Sequence, residues 1–262
     1  KGPREDVTSS RAGGRSTTRN SMVRRFTINR SARHPMSQSF KRRRWVAAIL
    51  VAIGLMAVWC AWPVVEGYAG APRAVAQLAS AFPQPLRTDS LGPLRLRELL
   101  AVEDPNFYRH PGIDLSTPGA GMTTMTQGLV KVLYFRAFHP GLSKIRQSLL
   151  ALGLNARVSK DTQLSLFLNV VNLGTYRGHA VIGFEEAART YFGRSLADVS
   201  NEQYLALVAM CLGPDRYNAA LHPQANAERV RRIQRMLRGE CHPQSWLDVE
   251  YKDCGDQGRS SA

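Results

Sequence analysis

Hydrophobic and polar positions divide the chain into three stretches with different patterns. Residues 1–40 are rich in Arg, Ser, Thr and Gly and show almost no apolar periodicity, which indicates a disordered segment. Residues 45–62 carry no charge, are mostly apolar and have a tryptophan at each end. From Val64 onward, apolar residues recur at helical spacing, and no convincing run alternates as a strand would. The pattern therefore predicts an all-α body.

The periodicity after Val64 predicts about eight helices. Thr123 or Thr124, Ser159 and Ser200 are suited to cap helix starts, and Gly239 is suited to end a helix. A short helix is expected near residues 77–82, broken by Pro83 and Pro85. The longer helices are expected at 94–104, 123–135, 143–157, 159–171, 180–192, 204–212 and 225–238.

The apolar stretch 45–62 predicts a helix that spans a membrane. About 20 helical residues cross the hydrocarbon layer, and tryptophans suit its two interfaces. The stretch lacks the polar stripe of a core helix, and its bulky end before Pro63 is a poor signal-peptide cleavage site. Four basic residues, 41–44, precede it, so the positive-inside rule predicts a cytoplasmic N-terminus and a body across the membrane.

Charge and cysteine usage exclude some function classes. The formal net charge is +15, but residues 1–44 hold 13 Lys and Arg against two acidic residues, which leaves only +4 for the remainder. A body so mildly basic argues against nucleic-acid binding. Cys60 and Cys211 lie in apolar segments that suit packing, and no cysteine has zinc-ligand spacing. Cys241 and Cys254 flank a polar segment, and the sequence leaves open whether they form a disulfide with each other.

Two adjacent acidic residues, Glu103 and Asp104, close the apolar helical run of residues 94–100. Pro105 then directs the chain out of the helix into a loop with aromatic residues. Burial beside aromatic rings raises a carboxyl pKa, and a carboxylate with a raised pKa is a usable general base. The commoner alternative for an acidic pair at a helix end is a solvated surface.

A second polar cluster, residues 121–131, combines hydroxyl side chains with a predicted helix N-terminus. Backbone N–H groups at such a terminus bind phosphate or polar sugar edges. Lys131 lies seven residues past Thr124, so it is two turns along on the same helix face and could meet a diphosphate. The alternative is an ordinary capped helix with a surface lysine.

These stretches together resemble the signatures of the family 51 glycosyltransferases, the peptidoglycan transglycosylases. The first signature is matched by Glu103, Asp104, Phe107, His110, Gly112 and Asp114. The second is matched by Thr123, Thr124, Thr126, Gln127, Leu129 and Lys131. Further elements follow in the family's order at residues 159–174, 183–196 and 214–223. The resemblance covers roughly residues 94–239.

The third signature departs from the family at two positions. Ser143 replaces an arginine that binds the donor diphosphate in the family, and Gln147 replaces its second acidic residue. Lys144 is retained, and Arg146 is expected to supply the missing positive charge from the same helical face. Glutamine cannot ionise, take up a proton or hold a cation as a carboxylate would. Asn155 and Ser165 also stand where the family has glutamates.

The resemblance implies a lysozyme-like helical glycosyltransferase domain on one transmembrane helix of the bacterial inner membrane, with the domain in the periplasm. It implies that the enzyme polymerises lipid II, inverting the anomeric centre and releasing a polyprenyl diphosphate. Glu103 is then the catalytic base. The residues expected to bind substrate are Asp104, Phe107, His110, Thr124, Thr126, Gln127, Lys131, Lys144, Arg146 and Gln147.

The partners implied are lipid II, the growing glycan chain, the membrane and other cell-wall synthesis proteins, but no nucleic acid. No cofactor or metal site is expected, although a divalent cation is left open. The expected boundaries are a basic tail (1–44), an anchor (45–62), a linker with a short helix (63–93), a monofunctional domain (94–239) and a polar tail (240–262).

Two other functions remain open. The first is a catalytically degenerate relative that binds lipid-linked glycan or a cell-wall partner without turnover, which Ser143 and Gln147 favour. The second is a lytic, lysozyme-like glycosidase. Such enzymes usually pair two carboxylates, and the helix of Gln147 supplies no second one.

Overall fold

The structure, a computed structural model, describes residues 37–82 and 84–255, with side chains from residue 41. Residues 37–49 belong to one compact unit and residues 50–255 to another. In the first unit the described residues are helical throughout. The disorder expected for residues 1–40 falls mostly outside the described residues, and 37–40 are helical.

Helix α1 (Ser37–Ala79) contains the apolar stretch expected to span a membrane. By length and composition it is able to cross one, and its tryptophans, Trp45, Trp59 and Trp62, are exposed. The linker and short helix expected after residue 62 are wrong, because α1 continues through Pro63 and Pro72. A proline removes one backbone hydrogen bond, which flanking helix-forming and packed residues can offset.

The part of α1 beyond Pro63 packs on helix α4 (Leu142–Arg157). Gly67 and Gly153 let the two backbones touch, since a Cβ on Gly153 would meet the carbonyl oxygen of Val64. The Tyr134 hydroxyl donates to the carbonyl oxygen of Gly67 at 3.3 Å. This packing explains why the helix does not end at its prolines.

The remaining helices agree with the predicted all-α class. They are α2 (Gly92–Glu103), α3 (Met125–Tyr134), α5 (Lys160–Val170), α6 (Phe184–Phe192), α7 (Asn201–Leu212) and α8 (Pro223–Leu237). Short 3-10 helices lie at Thr88–Leu91 and Lys252–Cys254. The predicted caps are confirmed: Thr124, Ser159 and Ser200 each accept a hydrogen bond from a backbone N–H in the first turn.

A small antiparallel hairpin of β1 (Asn172–Tyr176) and β2 (His179–Ile182) was not predicted. Arg177 and Gly178 form its two-residue turn with φ of 51° and 83°, the conformation that suits the twist of paired strands. The helix expected over 180–192 therefore begins only at Phe184. Gly183, with φ of 84°, lies between strand and helix.

Helix α7 is the centre of the core. Residues 204–210 are buried on every side, and α7 packs against α2, α6 and α8. This packing brings the C-terminal end of α2 beside α8, while α3 packs on α4 and α5. The C-terminal end of α2 and the buried face of α8 therefore meet at one cleft.

Candidate active site

A cleft of about 560 Å³ opens where these elements converge. The end of α2, the start of α3, the end of α7, α8 and the C-terminal segment all contribute to its wall. Its chemically active side chains are Glu103, Thr123, Lys131, Cys211 and Arg229, and apolar residues form much of the remaining wall.

Glu103 is the last residue of α2 and is only partly accessible from the cleft. Burial raises the pKa of its carboxyl to about 7, against the lowering effect of Arg229, and the charge of Asp104 adds to the rise. A carboxyl that titrates near neutral pH exchanges protons efficiently, as a general base must. The geometry therefore fits the role predicted for Glu103.

Asp104 and His110 are buried and bound to each other instead of facing the cleft. His110 Nε2 lies 2.9 Å from Asp104 Oδ1, and the Gly112 N–H donates to His110 Nδ1 at 3.0 Å. The Met125 N–H donates to Asp104 Oδ2 at 3.0 Å. Asp104 thus ties the end of α2 to the start of α3. The expectation that Asp104 and His110 bind substrate stays a prediction; in this structure their polar atoms bind each other and nearby backbone.

Phe107 is buried as well, with 1% of its surface exposed. The Lys160 ammonium lies 4.5 Å from its ring centroid, and the ring has edge contacts with Tyr108 and His110. Phe107 therefore packs the loop after α2, and its contact with substrate stays a prediction.

Three polar residues of the second signature are also used inside the protein. The Thr124 hydroxyl donates to Gly112 O at 2.6 Å, and the Thr126 hydroxyl donates to Gln163 Oε1 at 2.7 Å. Gln127 completes the capping box with Thr124, and its amide donates to Ser148 Oγ at 2.8 Å. All three are buried. They fix the start of α3; Thr124 also belongs to the cleft wall, and the contact of all three residues with substrate stays a prediction.

Lys131 and Lys144 lie close together at the cleft. Lys131 is part of the cleft wall, and Lys144 Nζ donates to the hydroxyl of Thr123, another wall residue, at 2.7 Å. Burial, followed by the charge of Lys131, lowers the pKa of Lys144 to about 8. Within the described part of the chain neither lysine pairs with a carboxylate. An anion bound here would offset their mutual repulsion.

Arg146 does not point to the cleft. Its guanidinium pairs with both oxygens of Glu66 on α1, at 2.7 and 2.9 Å, and lies 5.3 Å from the ring centroid of Phe135. The expectation that Arg146 replaces the missing charge at Ser143 stays a prediction; in this structure its guanidinium is paired with Glu66 and is not part of the cleft wall.

Gln147 is fully buried and absent from the cleft wall. Its amide donates to the Gln127 carbonyl oxygen at 2.6 Å, while its Oε1 finds no partner among the described residues. A glutamine at this position therefore joins α4 to α3, and its contact with substrate stays a prediction.

Sequence reasoning missed Arg229. This residue of α8 is 3% exposed, belongs to the cleft wall and stacks on the rings of Tyr217 and Tyr251. A signal was present: Asn226, Val230 and Ile233 have the helical spacing of a buried face, and Arg229 lies on that face. A charged residue at a core position indicates a specific role.

The C-terminal segment was missed too. Cys241 and Cys254 form a disulfide, and residues 240–255, hereafter the C-terminal strap, pack on the domain. Leu247 and Val249 of the strap are part of the cleft wall. The domain boundary expected at Gly239 stays a prediction; residues 240–255 pack on the domain, and residues 256–262 lie outside the described residues.

The residues present offer little to a metal ion. In 37–82 and 84–255, no group of three or more His, Cys, Asp or Glu side chains could hold one. Gln147, where a second carboxylate was expected by resemblance, is turned into the protein. The catalytic steps proposed below use only side chains of this chain.

Comparison with known proteins extends the resemblance. The model of the transglycosylase family matches residues 73–238. Penicillin-binding protein 1B of Escherichia coli (strain K12) is 35% identical over 168 residues, 59% of this chain and 19% of that protein. Penicillin-binding protein 1F of Bacillus subtilis (strain 168) is 31% identical over 169 residues, 59% of this chain and 23% of its own length. The chain thus spans about a fifth of the curated relatives it matches.

Proposed function

The chain belongs to the transglycosylase family, and from this we propose that it is a peptidoglycan glycosyltransferase that polymerises lipid II into glycan strands. The observation that carries the proposal is Glu103, a carboxyl with a pKa of about 7 in the wall of a cleft that also contains cationic side chains. A base and cations within one cleft meet the two demands of glycosyl transfer from a diphosphate donor.

The reaction assigned to Glu103 is removal of the proton from the acceptor's 4-hydroxyl. As the proton moves to the Glu103 carboxylate, the acceptor oxygen forms a bond to the donor's anomeric carbon on the face opposite the diphosphate. The bond from that carbon to the diphosphate oxygen breaks, and the electron pair leaves with the polyprenyl diphosphate. The anomeric centre is inverted because attack and departure are on opposite faces.

Lys131 and Lys144 are the cations that we assign to the departing diphosphate. Burial, and then the charge of Lys131, lowers the pKa of Lys144, and a bound anion would favour its charged form. Arg229 is also a cation of the cleft wall, but it is buried next to Glu103. We therefore assign it to the carboxylate and leave the diphosphate to the lysines.

A membrane anchor fits this function. Helix α1 is apolar and long enough to cross a bilayer, and both substrates of the proposed reaction carry lipid tails. Tethering confines enzyme and substrates to one surface and raises their effective concentration. We propose that α1 crosses the bacterial inner membrane, with the N-terminus in the cytoplasm and the domain in the periplasm.

One observation favours a second candidate, a degenerate relative that binds lipid-linked glycan without turnover. Gln147, at the position of the family's second acidic residue, is fully buried and donates to the carbonyl oxygen of Gln127. Glu103 is the one carboxylate among the residues of the cleft wall. The single carboxylate must then accept the proton without help from a second one.

Detergent-solubilised protein incubated with labelled lipid II separates the two candidates. We expect glycan from the parent protein and none from Glu103→Gln, while Glu202→Gln, at an exposed position of α7, matches the parent. A parent that binds labelled lipid II but forms no glycan contradicts the enzyme and favours the degenerate relative. Equal rates from the parent and Glu103→Gln would remove Glu103 as the base.

A further inference from the structure

The C-terminal strap is a loop closed at its base by the Cys241–Cys254 disulfide. The two cysteines are 13 residues apart in sequence, and their Cα atoms are 5.5 Å apart. The family match ends at residue 238, before the strap begins. Leu247 and Val249 nevertheless form part of the wall that also contains Glu103. A segment beyond the family match thus completes the candidate active site.

The strap rests directly on the loop before α3. The Gly119 N–H donates to Ser245 O at 3.0 Å, and the Gly121 N–H donates to Trp246 O at 2.7 Å. Gly121 has a φ of 71°, and a Cβ there would lie 2.8 Å from Val249 Cγ1. Glycine is required at this contact both by its conformation and by the space available. Loop and strap are therefore fitted backbone to backbone.

Tyr251 connects the strap to the catalytic end of α2. Its side chain is 1% exposed, and its hydroxyl donates to the carbonyl oxygen of Val102 at 3.0 Å. Val102 directly precedes Glu103. The ring of Tyr251 also contacts Arg229, whose guanidinium carbon lies 4.9 Å from the ring centroid. One strap side chain thus touches both Arg229 and the backbone that carries Glu103.

Arg229 depends on these rings for its position. Its Nε and Nη1 are buried and have no hydrogen-bond partner among the described residues. The rings of Tyr217 and Tyr251 lie at 5.7 and 4.9 Å from the guanidinium carbon. A buried cation stacked on aromatic faces is stabilised by them. Removal of the Tyr251 face leaves one of the two ring contacts.

Several groups act on Glu103 from the elements around it. Arg229 of α8 favours the carboxylate form, and Asp104 of α2 opposes it. Three neutral titratable side chains complete the surroundings: Tyr204 and Cys211 of α7 and Tyr251 of the strap. Arg229 is therefore the group that favours the base form of Glu103.

We propose that the C-terminal strap is a working part of the active site, in which Tyr251 positions Arg229 and the end of α2 beside Glu103 and the Cys241–Cys254 disulfide holds Tyr251 in place. This inference rests on the proposed function of Glu103 as the base. Tyr251 and Arg229 are positioning residues, since they act through Glu103. Turnover then requires the oxidised strap, which suits a domain in an oxidising compartment.

The first test compares glycan polymerisation rates of Tyr251→Leu, Tyr251→Phe and Arg229→Met. We expect Tyr251→Leu to lose about tenfold in rate, whereas Tyr251→Phe should lose less, because it keeps the ring face on Arg229 and loses only the hydroxyl that bonds Val102. The double variant Tyr251→Leu/Arg229→Met should lose less than the product of the two single losses, since coupled residues are not additive. Equal rates for Tyr251→Leu and the parent, a Phe variant as impaired as the Leu variant, or losses that multiply would overturn the assignment.

The second test needs no turnover. Carbodiimide activates the protonated carboxyl, so amine labelling of Glu103, followed by mass spectrometry across pH, reports its titration. We expect the midpoint of Tyr251→Leu to rise by about half a unit or more, because leucine keeps water out but releases Arg229. The titration midpoint of Glu103 in the double variant Cys241→Ala/Cys254→Ala should also rise. Glu250→Gln is the control, since it breaks only the strap's ion pair with Arg216.

Thermal unfolding first establishes that each variant is folded at the labelling temperature. A shifted midpoint in both Tyr251→Leu and the disulfide-free variant supports the proposed role of the strap, even if the parent makes no glycan. Absence of glycan from the parent would reject only the proposed function. Unshifted midpoints in both variants overturn the strap whether or not the parent is active. A shift in Tyr251→Leu alone overturns the role of the disulfide.

Discussion

The signature residues of this chain separate into two regions that differ in what their polar groups do. In one region, Asp104, His110, Thr124 and Gln127 are buried, and their polar atoms bind one another or nearby backbone. We call these four residues the framework. In the other region, Glu103 and Lys144 have shifted pKa values, and neither Lys131 nor Lys144 pairs with a carboxylate among the described residues. The two regions meet at the bond between Glu103 and Asp104.

The signature residues therefore serve two functions, one structural and one in the cleft. The framework fixes the end of α2 against the start of α3, because the Asp104 carboxylate accepts the N–H of Met125 at the first turn of α3. The cleft residues retain unfavourable electrostatics that a substrate can relieve. Substitutions in the framework should reduce stability, whereas substitutions in the cleft should reduce activity without loss of stability.

The strongest test of this contrast is Glu103→Gln. We expect turnover to fall by about 10²–10⁴-fold, the usual contribution of a general base. Stability should not fall. The pKa of Glu103 is raised to about 7 in the folded protein, so its effect on stability is favourable below its unfolded value and is lost as pH rises through about 7. The Tm of Glu103→Gln at pH 8 should equal or exceed that of the parent; a lower Tm contradicts the contrast.

Asp104→Ala should show the opposite behaviour. It removes the acceptor of His110 Nε2 and of the Met125 N–H, and loss of one partner from a buried pair costs about 3–5 kcal/mol. Denaturant unfolding measures the free energy of unfolding. Asp161→Ala is the matched control, because Asp161 is exposed and makes a single side-chain hydrogen bond to Tyr108. An Asp104→Ala protein as stable as this control would place Asp104 outside the framework.

Much of the fold was predictable from local sequence. Thr124, Ser159 and Ser200 cap helices as their positions predicted, since caps depend on neighbours within one turn. The hairpin was not predictable in the same way, because its turn uses Arg177 and Gly178 where an Asn-Gly pair would be the strong signal. Continuation of α1 past Pro63 depends on Gly67 and Gly153, which lie far apart in sequence.

The candidate site was predictable only in part. Glu103 and Lys131 belong to the cleft wall as expected. Arg146 was assigned from its position relative to Ser143, and the structure pairs it with Glu66, which lies 80 residues away. Helical spacing identifies a face but not the element that packs on it. Arg229 and Tyr251 reach Glu103 through tertiary packing alone, so no local pattern connected them to it.

A smaller effect is expected from Gln147→Glu, which restores the family's residue at a framework-like position. Gln147 donates to the Gln127 carbonyl oxygen, and an ionised carboxylate cannot donate. We expect a loss of about 1–3 kcal/mol in the free energy of unfolding at pH 8. The introduced carboxyl should have a raised folded-state pKa, so this loss should diminish as pH falls toward about 4.

Gln203→Glu is the matched control for that substitution. Gln203 uses its side-chain oxygen to accept the Ser200 N–H in a capping box, which glutamate completes equally well. Denaturant unfolding at pH 5 and pH 8 should show pH-dependent destabilisation of Gln147→Glu alone. Because Gln147 is not in the cleft wall, its substitution should also leave the polymerisation rate of the folded protein close to the parent's.

The subtlest test concerns the pH dependence of turnover. The rate should rise through about pH 7 as Glu103 loses its proton and fall above about pH 8 as Lys144 loses its charge. In Lys144→Arg the cation persists, so the alkaline limb should move up by about one unit or more while the rate at pH 7.5 changes less than about threefold. Lys160→Arg is the control, because the pKa of Lys160 is also about 8 but it lies over Phe107, outside the cleft wall. An alkaline limb that moves with Lys160→Arg and not with Lys144→Arg would transfer the titrating cation from the cleft to the loop after α2.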